Sequence, residues 1–274
     1  MTTYMITVDQ YRYSRKAQGP RTQTVQAMRD QLAYSQAQGM IGLIRSVAQG
    51  NKATKAEVHK ALGFKDNGNS KVPGSCVSFH PVSCHRGAKL AQVKGSICEG
   101  CYAENLARFY AETDIAWRRN DYVLEEALAN PEFRAQYIAL MAQAINQASA
   151  SKAKRGKAGA GLHRWFDSGD LRSAVHLDMI VAIAELTPSV RHWLPTREVR
   201  LVVGRKFPSN LLVRVSDDMI NSEASGKFTH TSGVHIDTPS AGAYVCPATT
   251  NAGACGDCTA CWDKSVARIS YKKH

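Results

Sequence analysis

Apolar residues recur with a helical period along the first part of the chain and give way to short alternations of apolar runs and polar turns later. From Thr22 to about Leu62 the spacing is helical, with an apolar segment from Met40 to Val47 and with Val58 and Leu62 four apart. Thr54-Lys-Ala-Glu57 has the form of a capping box, whose hydroxyl and carboxylate satisfy exposed amides at a helix start. With the Gln49-Gly50-Asn51 break, this predicts two helices, either a hairpin packed on the main domain or a small helix-turn-helix. Lys65 to Pro73 reads as a loop or boundary. A further helical pattern runs through Leu106, Phe109 and Tyr110. Another helix starts at Asn130-Pro131, a capping amide followed by proline at the first helical position. Phe133, Tyr137, Leu140, Met141, Ala144, Ile145 and Ala148 then share one face, which reads as core.

After a basic loop from Ser151 to Gly161 the rhythm changes. Leu162 to Phe166 reads as a strand with Asp167-Ser168-Gly169-Asp170 as its exit, and Ser173 to Leu186 as an amphipathic helix. Arg191 to Pro195 reads as a strand ending in Thr196-Arg197, and Asn210 to Val215 as one ending in Ser216-Asp217-Asp218. Strand, loop, helix, strand is the order of a parallel α/β fold. The expected architecture is a TIM-like parallel barrel, complete or incomplete, with an N-terminal helical segment and a C-terminal cysteine-rich metal-binding module. The boundaries fall at residues 1–70, 71–243 and 244–274.

Charge narrows the partners. The 35 Lys and Arg residues outnumber the 23 Asp and Glu residues, for a formal charge of +12, which suits a polyanion such as nucleic acid, DNA ahead of RNA. Lys152, Lys154, Arg155 and Lys157 are candidate phosphate contacts. The N-terminal Tyr11, Arg12, Tyr13, Arg15 and Lys16 suggest an arm that stacks on bases, after an edge strand. No stretch approaches a membrane span and the first residues lack the features of a secretory signal, so a cytoplasmic protein is expected.

The eight cysteines fall into two sets of four: Cys76, Cys84, Cys98 and Cys101, then Cys246, Cys255, Cys258 and Cys261. In a reducing compartment such sets hold metal rather than disulfides. The two-residue intervals in Cys98-Glu-Gly-Cys101 and in Cys255, Cys258 and Cys261 turn sulfurs toward one point, for zinc or a four-iron four-sulfur cluster, at one or two sites. His80, His85 and the terminal His274 are alternative ligands.

In parallel α/β folds the polar residues after strands converge on the active site. Asp167 and Asp170, around Ser168-Gly169, are candidate catalytic carboxylates, one acting as acid or base and the other as nucleophile or cation stabiliser. Each also has an ordinary role as a turn or cap residue. Arg197 is a candidate phosphate ligand, while Asp217 and Asp218 are candidates for the amino edge of a purine.

Cys98-Glu-Gly-Cys101-Tyr-Ala, Asp167-Ser-Gly-Asp170-Leu, Asn210 to Ser216 and the Cys255, Cys258, Cys261-Trp262, Ile269-Ser-Tyr271 series together resemble a bacteriophage protein family known by gene-product number, over residues 75 to 274. That family is similar to the barrel-shaped radical S-adenosylmethionine enzymes, although no three cysteines here have the parent's compact spacing. Leu194-Pro-Thr-Arg197 with the C-terminal cysteines and final histidine resembles the tRNA-guanine transglycosylases and their phage DNA-modifying relatives. That resemblance implies exchange of guanine for a 7-deazaguanine by an aspartate nucleophile, with a second aspartate reading the base and a structural zinc. The leading expectation is therefore a DNA-guanine transglycosylase acting through Asp167 and Asp170. An iron-sulfur redox or radical enzyme acting on a nucleotide is the alternative, and a non-enzymatic, metal-stapled nucleic-acid-binding protein is the third.

Overall fold

The computed structural model of the chain describes residues 20–67, 71–223 and 226–273. The predicted N-terminal arm and His274 lie outside them. One sheet has eight strands: β1 (Phe64–Lys65), β2 (Ser75–Val77), β3 (Leu162–Arg164), β4 (Arg191–Thr196), β5 (Leu211–Ser216), β6 (Thr231–His235), β7 (Tyr244–Val245) and β8 (Arg268–Lys272). Their order is β1-β2-β3-β4-β5-β6-β8-β7. β1 runs antiparallel to β2, and every other neighbouring pair is parallel. The α/β expectation holds. Among the described residues no pairing joins β1 to β7, so the sheet is not closed.

Eight helices accompany it among the described residues: α1 (Pro20–Ala48), α2 (Lys55–Leu62), α3 (His85–Leu90), α4 (Tyr102–Phe109), α5 (Ala111–Ala129), α6 (Pro131–Lys154), α7 (Ala174–Glu185) and α8 (Val199–Val202). Their ends follow local chemistry. The Thr54 hydroxyl accepts the Glu57 N–H at 3.2 Å while Glu57 Oε2 accepts the Thr54 N–H at 2.8 Å, which completes the predicted box. Gly63 closes α2 at φ 65°, where an added Cβ would stand 2.6 Å from the Asn120 carboxamide. Asn130 Oδ1 accepts the Glu132 and Phe133 amides at the start of α6, whose predicted apolar stripe is buried. No helix among the described residues is long and apolar enough to cross a membrane.

Consecutive strand residues point to opposite faces, and the two faces of this sheet have different covers. Leu194, Leu211 and Val215 join a core with residues of α1, α2, α5, α6 and α7. Trp193 instead joins Leu162, Cys261, Trp262 and Ile269 on the other face. There the C-terminal segment folds back: Trp262 Nε1 donates to the His163 carbonyl at 2.8 Å, and the Trp193 and Trp262 rings meet edge-on at 5.2 Å. Arg214, fully buried, fixes the same segment by donating to the carbonyls of Thr231, Ala267, Val266, Asp263 and Ala260.

The terminal segments pack against the common core and sheet. Ala37, Ile41, Ile44, Ala61 and Leu62 belong to the main core, so α1 and α2 pack as a hairpin on the sheet's helical layer. Residues 244–273 supply β7 and β8 to the common sheet. α6 continues to Lys154, shortening the basic loop. α5 lacks an apolar signature because its buried positions include Asp114, Arg118, Arg119, Asn120 and Asp121.

Candidate functional site at the carboxyl edge of the sheet

The loops after β3, β4 and β5 leave the same edge of the sheet, because these strands are parallel. Asp170 ties two of them. Its Oδ1 accepts the Thr196 hydroxyl at 2.6 Å and the Leu171 N–H at 2.7 Å, while Oδ2 accepts the Arg197 N–H at 2.9 Å. Burial pushes its carboxyl up to about 6, against the opposing pull of those bonds. Asp167 faces elsewhere, 3.6 Å from Lys65 Nζ, 3.5 Å from Arg164 and 3.4 Å from the Ser78 hydroxyl, and its carbonyl accepts the Tyr102 phenol. The two predicted carboxylates therefore have separate surroundings. Between them Gly169, at φ 93°, passes so close to Phe79 that a Cβ would lie 2.8 Å from the Phe79 Cβ. The Ser168 side chain is buried, and its hydroxyl has no hydrogen-bond partner among the described residues.

The other strand-end residues are committed to protein partners. Arg197 Nε donates to the Asp217 carbonyl at 3.1 Å. The Asp217 carboxylate pairs with Arg268 at 2.6 Å, above Gly233, where a Cβ would stand 2.5 Å from that carboxylate. Asp218 binds Arg86, whose own N–H donates to Glu198 at 2.6 Å. The purine-reading expectation for Asp217 and Asp218 meets this competing use.

Arg86, Asp218 and Glu198, which the sequence reading did not single out as a group, anchor the cysteine loop to the strand ends. Backbone bonds from Ile97 N–H to the Asp218 carbonyl at 2.9 Å and from Ile220 N–H to the Gly95 carbonyl at 3.0 Å reinforce this clamp. It brings Cys84 and Cys98 together around Gly87: a Cβ on that glycine would lie 3.8 Å from the Cys84 sulfur and 3.6 Å from the Cys98 sulfur. Cys101, at the start of α4, is an electrostatic neighbour of both. Burial raises the Cys84 thiol well above its ordinary value and raises that of Cys98, and the negative charge of neighbouring thiolates and Asp170 adds to both shifts. Arg197 opposes the rise at Cys98. Thiols that resist ionisation together are stabilised as thiolates by a shared cation.

Cys76 stands apart from these three. It is buried in β2, pushed up to about 12 by burial and then by Asp167, with Lys65, Arg164 and Lys152 opposing. His80 is also spoken for: Nδ1 accepts the Val82 N–H at 3.1 Å, leaving Nε2 to donate to Asp114 at 2.8 Å, so neither nitrogen is left for a metal. His85 is exposed beside Cys84.

The C-terminal cysteines form a second neighbourhood. Cys255 responds to Cys246 and Cys258, and Cys261 to Cys255, with burial the largest influence on both thiols and pushing Cys261 up to about 12. The hydroxyls of Tyr244 and Tyr271 lie 3.4 Å from the sulfurs of Cys258 and Cys261. Among the described residues no three His, Cys, Asp or Glu side chains converge tightly enough to coordinate a single ion. A polynuclear cluster makes a different demand, since its cysteines bind separate irons. Two of the first group's sulfurs, those of Cys84 and Cys98, flank bare Gly87.

The basic segment is not at this edge. Lys154, Arg155 and Lys157 are exposed but precede β3, at the amino end of the parallel strands. Lys152 is buried, and its ammonium donates to the Gly74 carbonyl at 2.9 Å, so it is withdrawn from the expected phosphate contacts.

Fold and site together define an α/β protein with a mostly parallel sheet and two cysteine neighbourhoods, one at the carboxyl edge and one in the returning C-terminal segment. The chain belongs to the Gene product 88 family, GP88, whose family model matches residues 43–264. That span includes all eight cysteines and the three strand-end loops. No curated protein and no solved structure matches the chain. The resemblance to a phage gene-product family is thereby borne out, whereas the transglycosylase resemblance has no counterpart in these comparisons.

Proposed function

We propose that the chain is an iron-sulfur enzyme performing redox chemistry on a nucleotide or nucleic-acid base, with its reactive cluster held by Cys84, Cys98 and Cys101. The carrying observation is the gathering of Cys84 and Cys98 around Gly87, with Cys101 beside them, at the carboxyl edge next to Asp170 and Arg197. On this reading the sheet is an incomplete barrel whose second face is filled by residues 244–273, and Cys246, Cys255, Cys258 and Cys261 hold zinc or a second cluster. Cys84, Cys98 and Cys101 would hold the cluster, which would supply single-electron chemistry. The chain's own residues prepare the surroundings. Asp170 fixes the β3 and β4 exits, Arg197 offsets thiolate charge at Cys98, and Arg86 with Asp218 and Glu198 holds the ligand loop in register. The charge of +12 supports a nucleic-acid or nucleotide substrate.

Guanine exchange through Asp167 or Asp170 is the second reading. The raised carboxyl of Asp170 suits an acid or base. Its two oxygens, however, already accept three hydrogen bonds, which leaves it poorly placed to attack a sugar carbon.

Anaerobic purification followed by iron, sulfide and zinc analysis tests the proposal. The expected product is brown, with about four irons and four sulfides per occupied cluster. The joint Cys84→Ser, Cys98→Ser and Cys101→Ser variant should lose one cluster's worth. A colourless wild-type protein holding only zinc overturns the reading. Base exchange that survives in the triple variant but disappears in Asp167→Asn would replace it with the transglycosylase.

A further inference from the structure

A cavity of about 440 Å³ lies between α2, β1, α4 and α5, with Asp167 in its wall. Its volume is within the range of small-molecule sites, roughly 300–1,000 Å³. Phe64 and Trp117 supply apolar surface, and His59, Lys65 and Arg119 supply nitrogen donors. The unusual member is Arg119. It is only 8% exposed, and among the described residues its single hydrogen bond runs to Asn120 Oδ1 at 3.1 Å. Its Nε has no partner, and no carboxylate among the described residues pairs with it.

A guanidinium is rarely buried without an anion, because desolvation is then uncompensated. The contrast with its helix neighbour is direct: Arg118 meets Asp114 at 2.9 Å. A second ring nitrogen in the same wall, His59 Nε2, is buried with no hydrogen-bond partner among the described residues. Lys65 approaches from β1, 3.6 Å from Asp167, whose other oxygen is 3.5 Å from Arg164. Of the acids lining the cavity, Asp167 is thus already faced by two cations, and Glu112 is exposed. The donors outnumber what these carboxylates use.

We infer that this cavity binds a phosphate monoester, with Arg119, His59 and Lys65 receiving the phosphate and Trp117 and Phe64 packing against an organic body such as a nucleoside. Arginine suits phosphate because its planar fork can give two charge-assisted hydrogen bonds to one group. The cavity's position adds meaning to its chemistry. Asp167 lies in its wall, and the Asp167 carbonyl accepts the phenol of Tyr102, the residue after Cys101. The cavity wall is thus joined by one hydrogen bond to the residue that follows Cys101. The binding itself does not depend on what the thiolates of the first cysteine group hold, so it can be measured separately from any redox activity.

Calorimetric titration of the full, anaerobically purified chain with guanosine 5′-monophosphate, guanosine, inorganic phosphate and acetate tests this inference. The monophosphate should bind at least about tenfold more tightly than guanosine, about 1.4 kcal/mol. Inorganic phosphate should compete with it where equal acetate does not. Arg119→Gln should weaken the monophosphate by about tenfold or more and leave guanosine unchanged. Should that variant fail to fold, Lys65→Gln is to be used, with weaker monophosphate binding again expected. Equal affinity for guanosine and its monophosphate, competition by acetate, no monophosphate binding to the folded protein, or unchanged binding in a folded variant would each overturn the inference.

Discussion

The Thr196 hydroxyl donates to Asp170 Oδ1 at 2.6 Å, joining the loop that leaves β3 to the last residue of β4. The Arg197 N–H strengthens the same connection by donating to Oδ2 at 2.9 Å. A buried donor deprived of its acceptor costs about 1–3 kcal/mol, more than the net value of the bond when both partners are removed. Asp170→Ala leaves three donors stranded and is expected to lower unfolding free energy by on the order of 3 kcal/mol. Thr196→Val removes one of those donors and also the acceptor of the Glu198 N–H at 3.0 Å, and is expected to cost about 2 kcal/mol. Denaturant unfolding at neutral pH measures both. Equal effects would show that the stranded amides do not determine the cost.

The legible parts of the fold are those where local chemistry and burial agree. Thr54 with Glu57, Asn130 with Pro131 and the Phe133-to-Ala148 stripe show α2 and α6 in the sequence because each signal is contained within a few turns. α5 was concealed by its buried charges: Asp114 meets His80 and Arg118, and Asp121 meets Arg172 at 2.7 Å. β6 reads as polar and small because Gly233 makes room for the Asp217–Arg268 pair. At the site, the aspartates could be placed after strands from the apolar rhythm. Their partners could not, since Arg86 and Asp218 are 132 residues apart and no local period connects them. Counting cysteines grouped Cys76 with Cys84, but its position in β2 puts it near Arg164 and Lys65 instead.

Gly87 provides a test in which local propensity and the proposed cluster pull in opposite directions. It lies within α3, where alanine is favoured over glycine by about 1 kcal/mol. An added Cβ would also stand 3.0 Å from the Cys84 Cβ and project between the Cys84 and Cys98 sulfurs. Gly87→Ala is therefore expected to retain the fold, with a melting temperature within a few degrees of wild type, while losing half or more of the iron assigned to the first cysteine group. Thermal unfolding and iron analysis on the same preparation separate the effects. A stable variant with full iron content would mean that the space over Gly87 is not used.

Arg214 holds the returning C-terminal segment by backbone carbonyls rather than by a carboxylate. Replacing it with methionine keeps much of the apolar volume but strands several buried acceptors. Arg214→Met is expected to destabilise the protein by about 3 kcal/mol or more. It should also speed amide exchange over residues 260–267 ahead of the α6 core. Hydrogen exchange read by mass spectrometry checks the order, and uniform acceleration through both regions would count against a local staple.

Acid stability depends on buried histidines whose Nδ1 atoms are already hydrogen-bond acceptors. His192 Nδ1 accepts the Trp165 indole N–H at 3.2 Å, while Nε2–H donates to Thr187 at 2.8 Å. Burial lowers the His192 and His176 pKa values to about 3 and that of His80 to about 4. Their unfolded value is about 6.5, so between about pH 6.5 and 3 the unfolded chain binds the extra protons. Their stabilising contribution is complete above about pH 6.5 and falls as pH falls. Asp121 and Asp170, raised to about 6 mainly by burial, act in the opposite direction, gaining stability as pH drops from about 6 to about 4. A variant comparison isolates the histidine contribution from that offset. His192→Gln can preserve the Trp165 and Thr187 partners without taking a proton. Urea unfolding from pH 7 to pH 4 should show up to about one proton fewer taken up on unfolding in the variant, with its stability falling less steeply than wild type on acidification. Parallel pH profiles would show that His192 protonation does not contribute to acid unfolding.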